Sequence, residues 1–272
     1  MSVYVEVINL ARATERRAHM QAELQSAGIE AVFPPAFDMK EHDPEIMLQH
    51  CKPSGPWGTF QPGNMACTIS HELAWERFLA SDAEHAVILE DDVFISPDIA
   101  AWLGDMSWWP DDAQLVKIER WNGRDTKVLL ARDGHVHLGR ELRRLFGRHV
   151  GSAGYILNRE GARRMLAHRP FALSIDNYLF NRNASPAARS VTTYQVNPAL
   201  VQQGNEPEGV APSLTHRKRP EGWALVVQKA KRGWHEVAYP LATYVKFFTG
   251  QIVLTPVPYV AHAGAQNQTS ET

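Results

Sequence analysis

The chain reads as an α/β fold, a mostly parallel central sheet flanked by helices, and three stretches lead there. The β-branched, partly alternating run VYVEVINL (3–10) is followed by ARATERRAHMQAELQSAG, whose helical spacing stops at Gly28. IEAVF (29–33) then reads as a second short strand, and a strand–helix–strand opening makes a parallel sheet the leading expectation. Further on, HAVIL (85–89) is a continuous apolar run of the kind that strands buried on both faces show.

The remaining elements follow in order. Six prolines and two glycines between Pro34 and Gly63 mark a long irregular connection, of a kind that in compact domains is often functional. NMACTISHELAWERFLAS (64–81) resumes helical spacing with large groups on two sides, so it is expected to pack on both. AQLVKIE (113–119) reads as a strand, and KVLLARDGHVHL (127–138) as a hairpin turning at Asp133–Gly134. GSAGYILNREGARRMLAHR (151–169) is a strand entering a helix, and SVTTYQV (190–196) is a late strand. The expected division is a catalytic domain over 1–203 and a loop-rich C-terminal extension over 204–272.

Composition narrows the function classes. The 272 residues are 44% apolar and 21% charged, ordinary for a globular protein, and 28 basic against 30 acidic side chains give a formal charge of -2. That balance gives no reason to expect nucleic acid as a partner. No signal-peptide pattern opens the chain, and the apolar region 237–260 is interrupted by Pro240, Lys246, Gly250, Pro256 and Pro258, so no membrane span is expected. Cys51 and Cys67 are too few for a disulfide framework and lack metal-ligand spacing, which fits reduced thiols in a cytoplasmic protein.

The chemistry centres on VILEDDVFI. Three adjacent carboxylates, Glu90, Asp91 and Asp92, leave a buried-type strand, although two like charges about 4 Å apart repel by about 1 kcal/mol in water and about 4 kcal/mol when partly buried. If the chain stays extended, Glu90 and Asp92 face one side and Asp91 the other. Ligands of open α/β sheets bind beyond the carboxyl ends of strands, where such a pair suits Mg²⁺ or Mn²⁺. A capping or solvated-loop role is the alternative, since Ser96-Pro97-Asp98 opens a helix nearby.

Six stretches in order, VINLARATERR, GNMACTISHELAWERFL, AVILEDDVFI, VKIE, GSAGYILNREGARRML and SIDNYLF, resemble glycosyltransferase family 25, the lipooligosaccharide-type sugar transferases, over roughly residues 2–200. The resemblance implies a GT-A type nucleotide-sugar fold, a UDP-sugar donor, a divalent metal and inversion at the anomeric carbon. It implies that Asp92 ligates the metal and that Glu90 contacts metal or donor. Asn9, Ser70 and His71 match donor-facing positions, and Asp176 matches the family's aspartate. The match departs at Asn64, where the family carries an acid, and no charge-based role is carried over to that position.

Physical chemistry supplies the rest of the expected site. No Gly-rich phosphate loop exists, so the metal together with Arg12 and Arg16 (and Arg17) is expected to meet the diphosphate. Inverting transfer needs a base for the acceptor hydroxyl: Asp176 is the first candidate, with helix capping as its alternative, and Glu119 beside Trp121 is the second. The resemblance to GT-A enzymes implies a late metal or diphosphate ligand near His216, beside Arg217, Lys218 and Arg219, with a surface histidine as the alternative. The tail interleaves cations with Trp223, Trp234, Tyr239, Tyr244, Phe247 and Phe248, which suits peripheral contact with the inner face of a membrane and equally suits aromatics packed on the catalytic domain.

The expected partners are therefore a UDP-hexose, most simply UDP-galactose, and a saccharide or lipid-linked saccharide acceptor of a surface glycan. A Mg²⁺-dependent phosphoesterase and a non-catalytic carbohydrate-binding protein are the rival readings.

Overall fold

The computed structural model describes residues 2–121, 127–204 and 241–263, together with residues 226, 229, 230, 233 and 234. Strand β1 (Val3–Ile8) leads into helix α1 (Thr14–Ala27), which ends where Gly28 takes a left-handed φ of 68° and its N–H caps the last turn. IEAVF does not become a strand: only isolated parallel bridges form, Val32 to Glu6 and Pro35 to Asn9, because Pro34 and Pro35 lack the N–H groups that a continuous ladder along β1 needs. That connection holds α2 (Pro44–His50) and a minimal hairpin of β2 (Ser54–Gly55) and β3 (Gly58–Thr59).

Helix α3 (Pro62–Ala80) then delivers the chain to β4 (His85–Glu90), β5 (Val93–Ile95) and α4 (Ile99–Gly104). The strands β6 (Leu115–Lys117), β7 (Glu119–Arg120), β8 (Lys127–Ala131), β9 (His135–His137), β10 (Arg140–Arg144) and β11 (Gly154–Asn158) follow. Helices α5 (Arg159–Ala167), α6 (Ile175–Phe180) and α7 (Pro186–Ser190) precede β12 (Thr193–Asn197) and β13 (Val201–Gln203). Near the C-terminus lie a helix, here α8 (Leu241–Phe248), and β14 (Ile252–Pro256).

Seven strands form the central sheet in the order β1-β4-β11-β6-β12-β10-β9. β1 and β4 are parallel, as are β6 and β12, while β11 and β10 run against their neighbours. Five of the seven strands therefore point the same way, all but β10 and β11. A second sheet, β5-β13-β7, sits where β4 and β6 end.

Helices cover both faces. Ala86 and Ile88 of β4 pack with Trp75 and Phe78 of α3 and Met165 of α5, whereas Val87 and Leu89 pack with Met20 and Leu24 of α1 and Trp102 of α4. Strict alternation into two apolar layers explains the unbroken HAVIL run, and each such side chain stabilises the fold by about 1.5–3 kcal/mol. Helix α3 is buried on two sides, as its sequence anticipates.

The expected hairpin at Asp133–Gly134 is replaced by different pairings. β9 pairs with β10 across Leu138 and Gly139, whose φ values of 47° and 75° are those of a tight two-residue turn. β8 instead pairs antiparallel with β14, in register Ala131 to Ile252. Its partner lies far along the chain, so local turn chemistry could not reveal it. This pairing also binds part of the C-terminal extension to the body of the protein. Arg140, fully buried, tightens the junction by donating to Asp98, Ser96, Pro198, Ala199 and Val260.

Candidate functional site

β4 ends at Glu90 and the chain turns at Asp91 and Asp92, so the three carboxylates are separated by a turn rather than by strand alternation. Alternation is therefore not what parts them; their hydrogen-bond partners are. Asp91 is drawn into the protein, accepting from Asn9 Nδ2 at 2.7 Å and from Arg16 Nη1 at 2.9 Å. Asp92 is held by β13: Gly204 N–H donates to its carbonyl at 2.8 Å and Gln203 Nε2 to its Oδ2 at 3.1 Å. Its Oδ1 is buried without a hydrogen-bond partner among the described residues.

Burial, and next the charge of Glu90, push the Asp92 carboxyl up to about 7, with Gln203 and Arg16 acting against them. Burial also works against ionising Glu90, but the His71 ring, the Ser152 hydroxyl and Lys117 outweigh it and hold that carboxyl below its ordinary value. Ser152 Oγ donates to Glu90 Oε1 at 2.6 Å, and His71 Nε2 stands 3.5 Å from the same oxygen. A divalent cation suits this pair of acids chemically: it would supply charge to two carboxylates that repel and a partner to the bare Asp92 oxygen.

Beneath them lies a buried ion pair. Lys117 Nζ donates to Glu119 Oε2 and to the Gly151 carbonyl, both at 2.6 Å, and sits 4.3 Å from the centre of the Phe180 ring. Burial lowers the Lys117 pKa and raises that of Glu119, each against the pull of its partner. Gly151 has a φ of 84°, and a Cβ there would come 2.2 Å from Glu119 Oε1, so only glycine closes over this pair. Glu119 also accepts from the Ala153 N–H at 2.9 Å and is fully buried. Glu119, the second candidate base, is thus held inside the fold by Lys117 and Ala153, with its Oε1 buried and without a hydrogen-bond partner among the described residues.

Asp176 sits half-buried in the first turn of α6. Ser174 Oγ donates to its Oδ1 at 2.6 Å and Asn177 Nδ2 at 3.1 Å, and no backbone N–H caps on it. Its charge, with those of Glu90, Asp92 and Asp91, bears on the thiol of Cys67, which burial above all keeps protonated. The fold thus gathers α3, the turn after β4 and α6 around one acidic focus.

Other expected ligands have different engagements. Arg12 pairs with Asp38 at 2.8 Å, and Arg16 and Asn9 anchor Asp91. Ser70 Oγ accepts from the Phe37 N–H and donates to the Ala66 carbonyl, tying the proline-rich connection to α3. His71 Nδ1 meets Tyr155 Oη at 2.8 Å, with Trp75 Nε1 donating to the same oxygen at 2.9 Å. His216, Arg217, Lys218, Arg219, Trp223 and Tyr239 lie outside the described residues. Sequence reasoning passed over Lys117, Ser152, Tyr155, Gln203 and Cys67. Of these only Cys67 carried a signal, one helical turn before His71.

The curated relatives of this chain and its family match define its class. It is 26% identical over 215 residues to the lipooligosaccharide biosynthesis protein lic2B of Haemophilus influenzae, a match spanning 73% of this chain and 75% of that one. It is 30% identical over 208 residues to the lacto-N-neotetraose biosynthesis glycosyltransferase LgtB of Neisseria gonorrhoeae, spanning 72% and 73%. Among solved structures, a glycosyltransferase involved in glycosylation of the major capsid of PBCV-1 aligns with a TM-score of 0.30 and 9% identity, over 60% of this chain and 63% of that one. The protein is a glycosyltransferase. The profile of glycosyltransferase family 25 (LPS biosynthesis protein) matches residues 2–179, and the chain belongs to that family.

Proposed function

We propose that the protein is a metal-dependent, inverting hexosyltransferase of GT-A type that moves galactose from UDP-galactose to a saccharide acceptor of lipooligosaccharide or a similar surface glycan. The observation that carries this reading is the pairing of Glu90 with Asp92 at the carboxyl end of β4, where Asp92 keeps a buried carboxylate oxygen without a hydrogen-bond partner among the described residues. Glu90 and Asp92 would hold Mn²⁺ or Mg²⁺, which when bound supplies positive charge against the diphosphate leaving group. The names of the relatives, which concern lipooligosaccharide and lacto-N-neotetraose synthesis, favour the acceptor class.

In this reading Asn9 and Arg16 act through Asp91, fixing the turn that aims Asp92. Asp176 takes the acceptor hydroxyl's proton. Ser174 and Asn177 both donate to its Oδ1, orienting the carboxylate and leaving Oδ2 without a hydrogen bond among the described residues. The Lys117–Glu119 pair and Gly151 brace the floor from which Ser152 positions Glu90.

The C-terminal extension completes the enzyme as a membrane-facing element. Leu241, Val245 and Phe248 of α8 are exposed, Phe248 by 83%, with Lys246 beside them, a pairing suited to an anionic lipid surface. No helix among the described residues is long and apolar enough to cross a membrane.

The test is UDP release from a panel of UDP-sugars with and without Mn²⁺. Release from UDP-galactose that requires Mn²⁺ and rises with a saccharide acceptor is expected. Metal-independent release, or none from any donor, would overturn the reading.

A further inference from the structure

We propose that Cys67 Sγ, His71 Nε2 and a carboxylate oxygen of Glu90 form a second cation site beside the Glu90–Asp92 position, one selective for Zn²⁺ and similar soft or borderline divalent ions. The proposal deepens the metal-dependent reading by assigning Glu90 to two competing sites, yet its own chemistry does not depend on Asp92.

The geometry is that of three ligands converging from two elements. Cys67 and His71 are four residues apart on α3, hence on one face of the helix, and that face meets the end of β4. The three donor atoms lie within 4.8 Å of one another. His71 Nε2 and Glu90 Oε1 are 3.5 Å apart, and no hydrogen bond joins them. That spacing matches the ligand-to-ligand edge of a tetrahedral site with bonds of about 2.0–2.3 Å, which is about 3.3–3.7 Å.

His71 supplies the independent observation. Its side chain is fully buried, and among the described residues its Nε2 makes no hydrogen bond and faces Glu90 Oε1 at 3.5 Å, too long for one. The ring is held in place from behind: Nδ1 meets Tyr155 Oη, which also receives the Trp75 indole N–H. An outer hydrogen bond on the far ring nitrogen is what orients metal-binding histidines.

The donor set decides the ion. A thiolate, an imidazole and one carboxylate suit Zn²⁺ far better than Mg²⁺ or Mn²⁺, which take oxygen ligands. Binding exchanges one proton for the metal: the Cys67 S–H bond breaks, the S–Zn bond forms, and the proton leaves to solvent. Three protein ligands leave a fourth position for water. Occupancy holds a Glu90 oxygen at the soft site, so Zn²⁺ inhibits the Mn²⁺-supported reaction.

Cobalt substitution tests this on the metal-free full chain. Co²⁺ is expected to give a thiolate-to-cobalt charge-transfer band that Zn²⁺ abolishes at one equivalent. Cys67→Ser should remove the band and weaken Zn²⁺ binding at least about tenfold, while Cys51→Ser and Asp92→Asn keep both. Absence of the band in the unaltered protein, or its survival in Cys67→Ser, overturns the site. Because the unaltered protein is itself informative, a misfolded variant leaves the proposal decidable. The outcomes separate from the proposed function: a thiolate band without Mn²⁺-dependent UDP release sinks the transfer reading alone, and the reverse sinks only the zinc site.

Discussion

Arg16 Nη1 lies 2.9 Å from Asp91 Oδ1, joining the start of α1 to the turn after β4 across 75 positions of sequence. With Asn9 on the other carboxylate oxygen, this pair turns Asp91 into a structural anchor and leaves Asp92 as the unsatisfied acid. The two neighbours should therefore respond oppositely to loss of the carboxylate charge. Asp91→Ala removes the acceptor of two buried donors and should destabilise the protein by about 2–3 kcal/mol. Asp92→Asn removes a charge that Glu90 repels, so it should raise the melting temperature of the metal-free protein while eliminating Mn²⁺-stimulated UDP release. Thermal unfolding of both variants in chelator reads the difference, and equal shifts of the same sign would refute it.

Asp176→Asn preserves the hydrogen bonds from Ser174 and Asn177 but cannot accept a proton. Transfer to acceptor should fall about 10²–10⁴-fold with UDP affinity unchanged. Calorimetric titration with UDP, run beside a transfer assay, checks both halves. Full activity in this variant would return the search for the base to residues outside the described chain.

Arg140 is fully buried and bonded to Asp98 at 2.7 Å and to carbonyls of Pro198, Ala199 and Val260. Arg140→Met should cost about 3–5 kcal/mol, because Asp98 and the carbonyls lose their common donor. Urea unfolding gives the magnitude. Limited proteolysis should show the region after β14 cut first.

His149 should cost the protein stability in mild acid. His149 is buried beside Lys117, and burial first, then that charge, hold its pKa well below the ordinary histidine value. The unfolded chain, with its imidazole near 6.5, binds the proton more readily, so acid favours unfolding. This share of the stability is complete above that value and is lost as the pH drops below it. Asp92, whose carboxyl is pushed up to about 7, works in the opposite direction, so the His149 share is read as a difference: between about pH 7.5 and about pH 5.5 the urea midpoint of His149→Gln should gain on that of the unaltered protein as the pH falls.

Val245→Glu and Phe248→Glu, on the exposed face of α8, should abolish sedimentation with anionic liposomes while leaving soluble transfer intact. Substitution is the better test than truncation, since β14 pairs with β8 and a shortened chain would expose that strand. Liposome binding unchanged in the double variant would remove this face of α8 as the membrane contact.

The sequence by itself determined the layering and the acidic focus. HAVIL carried a buried-strand signal, α3 carried large groups on two sides, and EDD directly after that strand marked the carboxyl end of β4 as the acidic focus. These are local signals, since periodicity and charge order are written in adjacent residues. Tertiary structure alone decided which partners those residues would meet. Asp91 is neutralised by Asn9 and Arg16 from the first strand and helix, Asp92 is aimed by Gln203 and Gly204, and Glu119 is buried by Lys117 and closed over by Gly151. The replacement of a β8–β9 hairpin by β8–β14 pairing has the same origin. In each case the deciding contact joins segments distant in sequence, and the burial that shifts a charge exists only once the layers have closed around it.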